Sequence, residues 1–173
     1  MLGQTCAEFG KKWLNINAEK VNGGKVLEVS LQDSILRTII EKMNPHSYIE
    51  IGVDEIVSIY NLTKHFGSNY FDVVICVGML EHIRDWKKAV REISNILNVE
   101  GLVILITHSP GFEKHSEPDD DYWRFSSNDL YDMFQGFSIQ EISKSPEHEV
   151  LFAGLKRETW LADLSGLSVF EVE

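Results

Sequence analysis

The sequence predicts an α/β fold with a mostly parallel sheet, and residues 71–107 are the main reason. Residues 71–77 form an apolar run without strict alternation, as in a strand that helices cover on both faces. Apolar residues then recur every three or four positions through 86–97, which is typical of an amphipathic helix. Residues 102–106 are again continuously apolar. Strand, helix and strand together form a βαβ unit, whose crossover is almost always right-handed.

The same unit predicts where a ligand binds. Open parallel sheets bind ligands beyond the carboxyl ends of their strands. Residues 78–83 follow the first strand of the unit, and residues 108–112 follow the second. We therefore expect both segments to border a ligand site. Between the helix and the second strand, a turn is predicted at 98–101, with Gly101 as its left-handed residue.

The other elements follow from apolar spacing and turn residues. Residues 1–20 predict an amphipathic helix that covers one edge of the sheet, through Phe9, Trp13, Leu14 and Ile16. A helix is predicted at 34–43, with a cap at Asp33 or Ser34 and with four residues facing inward: Ile35, Leu36, Ile39 and Ile40. Another is predicted from Ser126 or Ser127 to Gly136, with three residues facing inward: Leu130, Tyr131 and Phe134. Strands are predicted at 26–29 and 47–51. Two further strands, at 137–142 and 150–155, are predicted to form an antiparallel hairpin.

Residues 53–59 also resemble a strand, but they follow the strand at 47–51 too closely. Parallel neighbours in one sheet need a crossover of a dozen or more residues. Three explanations remain open: one strand is missing from the full sheet, the two apolar runs form one bent strand, or this sequence lacks some loop residues.

Length and composition favour one domain spanning residues 1–173. No stretch approaches the roughly 20 apolar residues of a membrane span, and the N-terminus lacks the pattern of a secretory signal. Two cysteines, Cys6 and Cys76, make a disulfide framework improbable, so a cytoplasmic location is expected. Residues 158–173 form an apolar tail that packs either on the sheet or on a partner, which would make a homo-oligomer.

The net charge of −11 argues against a nucleic-acid partner, because affinity for phosphates depends on lysine and arginine. The nearest approach to a basic patch is a group of four N-terminal lysines, interpreted as a solvated surface: Lys11, Lys12, Lys20 and Lys25.

Four segments resemble class I S-adenosylmethionine-dependent methyltransferases: Val26-Leu-Glu-Val29, Phe71-Asp-Val-Val-Ile75, Met79-Leu-Glu-His82 and Gly101-Leu-Val-Ile-Leu105. Asp121-Tyr-Trp-Arg-Phe125 also resembles a segment of a small-molecule branch of that superfamily. The resemblance implies an α/β, Rossmann-like, mostly parallel sheet of six or seven strands, with helices on both faces and a C-terminal antiparallel hairpin. It also implies S-adenosylmethionine as cofactor and a small-molecule methyl acceptor.

By this resemblance, an acidic residue at the end of the second strand holds the ribose of the cofactor. A carboxylate suits a diol because it accepts two charge-assisted hydrogen bonds. Glu50 and Asp54 compete for this position, and Asp54 is slightly favoured. The remaining cofactor-binding residues that the resemblance implies lie at the ends of the first and third predicted strands or just after them: Glu28, Val29, Ser30, Val77, Gly78 and Met79.

The first loop departs from the family pattern. The family has a glycine-rich turn there, because glycine lets the backbone approach the cofactor closely. This chain has Ser30-Leu-Gln-Asp33, without glycine. Either cofactor binding is weakened or lost, or loop residues are missing from this sequence.

Candidate catalytic residues are His82, Tyr122, Trp123 and Arg124. Histidine suits general-base catalysis, so His82 is a candidate for that role, although a cap or structural hydrogen bond is the simpler interpretation. Tyr122 and Trp123 suit an apolar lid near the sulfonium, or core packing, and Arg124 suits an acidic group of the acceptor. His115 and the acidic residues around it lack the spacing of a metal site, so no metal is expected.

The sequence thus predicts a methyltransferase acting on a small molecule. The alternative is a catalytically inactive, methyltransferase-like module for binding or assembly, which the altered first loop and the apolar tail favour. A nucleic-acid methyltransferase is the third possibility.

Overall fold

A computed structural model describes residues 4–30, 34–52, 58–114, 120–157 and 164–172, and its centre is a sheet of six strands. These strands are β1 (Lys25–Ser30), β2 (Ser47–Ile51), β3 (Phe71–Val77), β4 (Leu97–His108), β6 (Phe137–Lys144) and β7 (Glu149–Lys156). Two short strands, β5 (Trp123–Arg124) and β8 (Phe170–Glu171), form a separate antiparallel pair. The helices are α1 (Gln4–Ile16), α2 (Ala18–Val21), α3 (Arg37–Lys42), α4 (Leu62–Phe66), α5 (Trp86–Ile96) and α6 (Ser127–Met133), with 3-10 turns at Ile59–Asn61 and Leu80–His82.

The sheet confirms the α/β fold class. Its strand order is β2-β1-β3-β4-β7-β6, in which β2, β1, β3 and β4 are parallel. β7 runs antiparallel to β4 and forms a hairpin with β6. The predicted C-terminal antiparallel hairpin is therefore present, joined through residues 145–148.

Helices cover both faces of this sheet, which explains its apolar central strands. On one face α4, α5 and α6 bury Val74 and Leu105. On the other face α1 and α3 bury Ile75 and Ile104. Successive strand residues therefore enter different cores, so β3 and β4 need apolar residues on both sides.

Helix α1 confirms the predicted N-terminal amphipathic helix, but it packs on a face of the sheet and does not cover an edge, and one of its predicted inward residues is wrong. Phe9, Trp13 and Leu14 are buried, while Ile16 is 56% exposed. The indole Nε1 of Trp13 donates to the carboxylate of Glu141 at 2.9 Å. Helix α1 is thereby attached to edge strand β6.

Two inward residues predicted for the other helices are wrong. Ile35 is 39% exposed because α3 begins only at Arg37, after the hydroxyl of Ser34 has accepted hydrogen bonds from the chain entering the helix. Tyr131 is 55% exposed, and Met133 occupies the inner face of α6 instead.

The turn at 98–101 is a bulge within β4. The pairing shifts from Phe71 opposite Leu97 to Val73 opposite Leu102. Glu100, with φ of 60°, takes the left-handed conformation predicted for Gly101. Gly101 is needed for space, since a Cβ there would lie 2.8 Å from the carbonyl oxygen of Asn98.

Part of the ambiguous segment 53–59 can now be assigned. Residues 53–57 lie outside the described residues, and Ile59 is buried in the 3-10 turn. The hydroxyl of Ser58 accepts from the backbone N–H of Tyr60 and caps that turn. The sheet of the described residues has no strand between β2 and β3.

The described part of the tail packs against its own chain. Leu164 is buried in the same core as α5, and Leu167 packs against that core. The ammonium group of Lys87 donates to the carbonyl of Leu167 at 2.9 Å. Phe170, in contrast, is 61% exposed. Among the described residues, no helix combines the length and apolarity that crossing a bilayer would require.

Candidate functional site

The carboxyl ends of β1, β2, β3 and β4 meet at one edge of the sheet, as parallel strands require. The residues predicted to bind a cofactor lie at or next to this edge: Glu28, Val29 and Ser30 on β1, Glu50 on β2, and Val77, Gly78 and Met79 at the end of β3. Asp54 lies outside the described residues. Gly78 has φ of 56°, so the chain turns at the end of β3 in a conformation that suits glycine.

Glu28 is the most unusual of these residues because it is a completely buried carboxylate. Its Oε2 atom accepts hydrogen bonds from the hydroxyls of Ser34 and Tyr48, both at 2.7 Å. Its Oε1 atom is buried and has no hydrogen-bond partner among the described residues. Burial raises the pKa of Glu28, and the two hydroxyl donors oppose that rise only in part.

Glu50 pairs with Glu28 across β1 and β2, and its surroundings differ. The guanidinium of Arg37 contacts both carboxylate oxygens of Glu50, with Nε 3.0 Å from Oε1. The Tyr48 hydroxyl also lies within hydrogen-bond distance of this carboxylate, so its single proton is shared between Glu28 and Glu50. Partial burial acts to raise the pKa of Glu50, but these donors outweigh it and hold the pKa below its usual value. Glu50 is therefore ionised, and its oxygens are already engaged by donors.

A second buried carboxylate, Glu81, lies after β3. Its Oε2 accepts from the hydroxyl of Thr107 at 2.7 Å, and its Oε1 lies 3.0 Å from Nδ1 of His108. Burial alone would raise the pKa of Glu81, but His108 and Thr107 outweigh it and hold the pKa below its usual range. The His108 ring also stacks on Phe112, with centroids 3.6 Å apart.

The sequence placed both ends of this pair at the ligand edge but did not predict the contact between them. The signal was available in the chain. A polar Thr107-His108 pair follows the apolar run 102–106, at the level where Glu81 follows the neighbouring strand.

His82 holds the loop that precedes β5. Its Nδ1 hydrogen-bonds the backbone carbonyl of Asp120, while the N–H of Tyr122 donates to the carbonyl of Glu81 at 2.9 Å. The indole N–H of Trp123 donates to the carbonyl of Ile83 at 3.0 Å. Segments 80–83 and 120–123 are thus connected at three points, which brings three of the four candidate catalytic residues together.

Arg124 is the fourth candidate, and it is 1% exposed. Its guanidinium contacts both carboxylate oxygens of Asp121, with Nη2 2.8 Å from Oδ2. The remaining N–H groups donate to the carbonyls of Phe112, Glu113 and Trp123. All five donors have acceptors, so in this conformation Arg124 fixes the loop, and its predicted role toward an acceptor stays a prediction.

A cleft of about 390 Å³ adjoins the Tyr122 loop. It is lined by Tyr60, which follows β2, and by residues from the turn into α5: Arg84, Asp85 and Lys88. The guanidinium of Arg84 lies 4.9 Å from the ring centroid of Tyr122. The described ranges contain no group of three or more potential metal ligands.

Comparison with known proteins assigns the fold. The family model described as "Methyltransferase domain" matches residues 13–105. A solved S-adenosylmethionine-dependent methyltransferase from Mesorhizobium loti has a TM-score of 0.62 at 13% identity, covering 87% of this chain and 100% of that one. One from Aquifex aeolicus has a TM-score of 0.60 at 11% identity, covering 86% and 90%.

A third similar structure contains ligands. It is the 1,6-didemethyltoxoflavin-N1-methyltransferase of Burkholderia thailandensis with bound 1,6-didemethyltoxoflavin and S-adenosylhomocysteine. Its TM-score is 0.62 at 12% identity, over 88% of this chain and 79% of that one. No curated protein matches the sequence significantly. On the family match and the fold together, the chain belongs to the methyltransferase domain family of the class I S-adenosylmethionine-dependent superfamily.

Proposed function

We propose that this protein transfers the methyl group of S-adenosylmethionine to a small-molecule acceptor. The observation that carries the proposal is the buried Oε1 atom of Glu28 at the ligand edge of the sheet, which lacks a hydrogen-bond partner within the described part of the chain. A buried carboxylate oxygen without a donor is costly, and a donor from a bound ligand would remove that cost. The ammonium group and the ribose hydroxyls of S-adenosylmethionine are donors of the required kind.

Several residues would hold the cofactor by their position. Gly78 and Met79 would border it where the chain leaves β3, and Glu28 would accept a hydrogen bond from it. When bound, the cofactor supplies an electrophilic methyl group on a sulfonium. The contribution of the chain is then to align the acceptor and exclude water, which methyl transfer needs more than it needs a general base.

Two features support a small acceptor. The net charge of −11 disfavours a nucleic-acid substrate. The cleft of about 390 Å³ has a volume within the range of small-molecule pockets, and Arg84 on its lining lies 4.9 Å from the Tyr122 ring centroid. In this proposal Tyr122 and Trp123 face the acceptor. His82 would act as a base only if its hydrogen bond to Asp120 exchanges for one to the acceptor.

One observation favours the alternative, a catalytically inactive module. The Glu50 carboxylate is already engaged by Arg37 and Tyr48. A cofactor ribose would have to displace those donors or use Asp54 instead. In a module that has lost the cofactor, the Arg37–Glu50 pair would persist as part of the surface.

Calorimetry with S-adenosylhomocysteine separates the two functions. We expect saturable binding to the native protein and binding about tenfold to a hundredfold weaker to Glu28→Gln, since a charge-assisted hydrogen bond contributes roughly 1.5–3 kcal/mol. Gln has nearly the same shape, so the fold is retained. Exposed Glu147→Gln is the matched control and should bind like the native protein. If the native protein gives no heat of binding at millimolar ligand, the enzyme proposal fails and the module remains.

A further inference from the structure

The cleft beside the Tyr122 loop carries a local excess of positive charge. Residues 84–91 contain four cations, Arg84, Lys87, Lys88 and Arg91, and one acid, Asp85. The whole chain, in contrast, has a net charge of −11. Two of these cations, Arg84 and Lys88, line the cleft itself.

Arg84 lies just before the N-cap of α5 and Lys88 lies in its first turn, and both side chains line the same cleft. Within the described ranges neither forms an ion pair with a carboxylate. Asp85 also lines the cleft, but its carboxylate accepts from the backbone N–H of Lys88 and caps α5. The local acid is therefore used by the helix and does not pair with the two cations.

Aromatic rings hold both cations at the walls of the cleft. The Arg84 guanidinium lies 4.9 Å from the Tyr122 ring centroid, and the Lys88 ammonium lies 5.6 Å from that of Tyr60. The Tyr60 hydroxyl accepts from the backbone N–H of Asp85 at 3.3 Å, which fixes one of these rings to the helix start. Cations placed against rings lose less side-chain freedom when they bind an anion.

We propose that Arg84 and Lys88 form an anion-binding subsite, which takes a carboxylate or phosphate group of the methyl acceptor. Identifying the ligand as the acceptor rests on the proposed function; the anion site itself does not. A guanidinium binds carboxylate and phosphate oxygens in a bidentate manner, and the Lys88 ammonium adds a second charge. Acidic small molecules are thus preferred over neutral acceptors.

The test is an NMR titration of the uniformly labelled full chain with inorganic phosphate and, separately, with succinate, at constant ionic strength. We expect saturable shifts confined to the amides of residues 84–88, the Arg84 Nε–H and the Tyr122 loop. The variant R84Q/K88Q should bind at least about tenfold more weakly. The variant K11Q/K42Q removes the same charge from exposed positions outside the cleft and should bind like the native protein.

Three results overturn the proposal: no saturable shifts with either anion, shifts spread over many surface lysines, or equal loss in both double variants. Stronger binding of a single-stranded oligonucleotide at the same residues, falling steeply with salt, also overturns it in favour of a nucleic-acid surface. Binding of S-adenosylhomocysteine is measured separately. If the protein binds phosphate but not S-adenosylhomocysteine, the anion site is retained and methyl transfer is rejected. If it binds S-adenosylhomocysteine but not phosphate, only the anion site is rejected.

Discussion

Glu28 and Glu81 are both completely buried carboxylates, yet their surroundings shift their pKa values in opposite directions. Burial dominates at Glu28, where two neutral hydroxyls are the donors, so its pKa is raised. At Glu81 burial is outweighed by His108 and Thr107, so its pKa is lowered. A carboxylate without a charged partner inside the protein is costly unless a ligand approaches it.

The raised pKa of Glu28 predicts how its replacement changes stability with pH. A group with a raised pKa in the folded state contributes stability below its unfolded pKa, near 4.5, and loses that contribution as pH rises through the folded value. Glu28→Gln does not titrate. We therefore expect the variant to gain stability relative to the native protein from pH 4.5 to pH 7 in urea unfolding. If the free energies of unfolding of the two proteins change in parallel with pH, titration of Glu28 does not cause the pH dependence.

Arg124 and Arg37 form ion pairs of similar geometry at very different burial. The side chains of Arg124 and Asp121 are 2% and 0% exposed, and those of Arg37 and Glu50 are 45% and 26% exposed. Arg124→Gln leaves a buried carboxylate without its partner, so we expect a loss of about 3–5 kcal/mol in the free energy of unfolding. Arg37→Gln is the control, with an expected loss below about 1 kcal/mol. Similar losses of unfolding free energy in both variants would show that burial does not determine how much each ion pair contributes.

At the scale of elements, α6 shows how local chemistry fixes a helix start. The hydroxyl of Ser126 accepts from the backbone N–H of Asp129, and the Asp129 carboxylate accepts from that of Ser126. This capping box was not predicted, although a cap at Ser126 or Ser127 was. It places Phe125 and Leu130 in the core on either side of the helix start.

The capping box predicts a difference between two adjacent serines. Ser126→Ala should lower the free energy of unfolding by about 1 kcal/mol, because the first turn loses a side-chain acceptor. Ser127 is exposed within that turn, so Ser127→Ala should change it by less than about 0.5 kcal/mol. Chemical denaturation of both variants measures the difference. Equal effects would mean that another residue supplies the cap.

The elements that sequence predicted best are those with apolar residues on both faces. The apolar run 71–77 coincides with β3. Helices cover this strand on both faces, so side chains pointing to either side are apolar and the run marks where the strand begins and ends. Helix faces were less certain. Tyr131 matches the helical period of the inward residues but lies in solvent. Its hydroxyl lowers the free-energy cost of exposing the ring, and Met133 fills the space in the core.

The candidate site was less predictable than the fold, because its contacts join distant parts of the chain. Periodicity placed Glu81 and His108 at one edge but carries no information on which side chains meet. For Arg124 the motif suggested a ligand contact, while its acceptors are three backbone carbonyls and a carboxylate. A pattern of side chains in the sequence does not indicate which backbone carbonyls accept hydrogen bonds.

At the scale of the whole molecule, both cysteines lie inside the two cores. Cys76 belongs to the core beneath α5, and Cys6 to the core beneath α1. Burial raises the pKa of Cys76, and the thiol of Cys6 donates to the Glu149 carboxylate at 2.7 Å. Both thiols are therefore inaccessible in the folded state, and that of Cys76 also resists ionisation.

Thiol reactivity should consequently report unfolding of the molecule. We expect a thiol-specific chromogenic reagent to modify neither cysteine rapidly in buffer and to modify both in denaturing urea, in a spectrophotometric assay. Cys6→Ala and Cys76→Ala assign each reaction to its core. Rapid labelling of one thiol in buffer would show that its core opens without global unfolding.

The pairing of β8 with β5 affects how this protein should be attached to a tag or a sensor surface. The backbone N–H of Val172 donates to the carbonyl of Tyr122, so a group attached to this strand would be close to the loop that carries Tyr122. Immobilisation through that point would alter the affinity that it is meant to measure. Lys11 on α1 is exposed on the opposite face of the sheet from α5, and coupling there leaves the loop accessible.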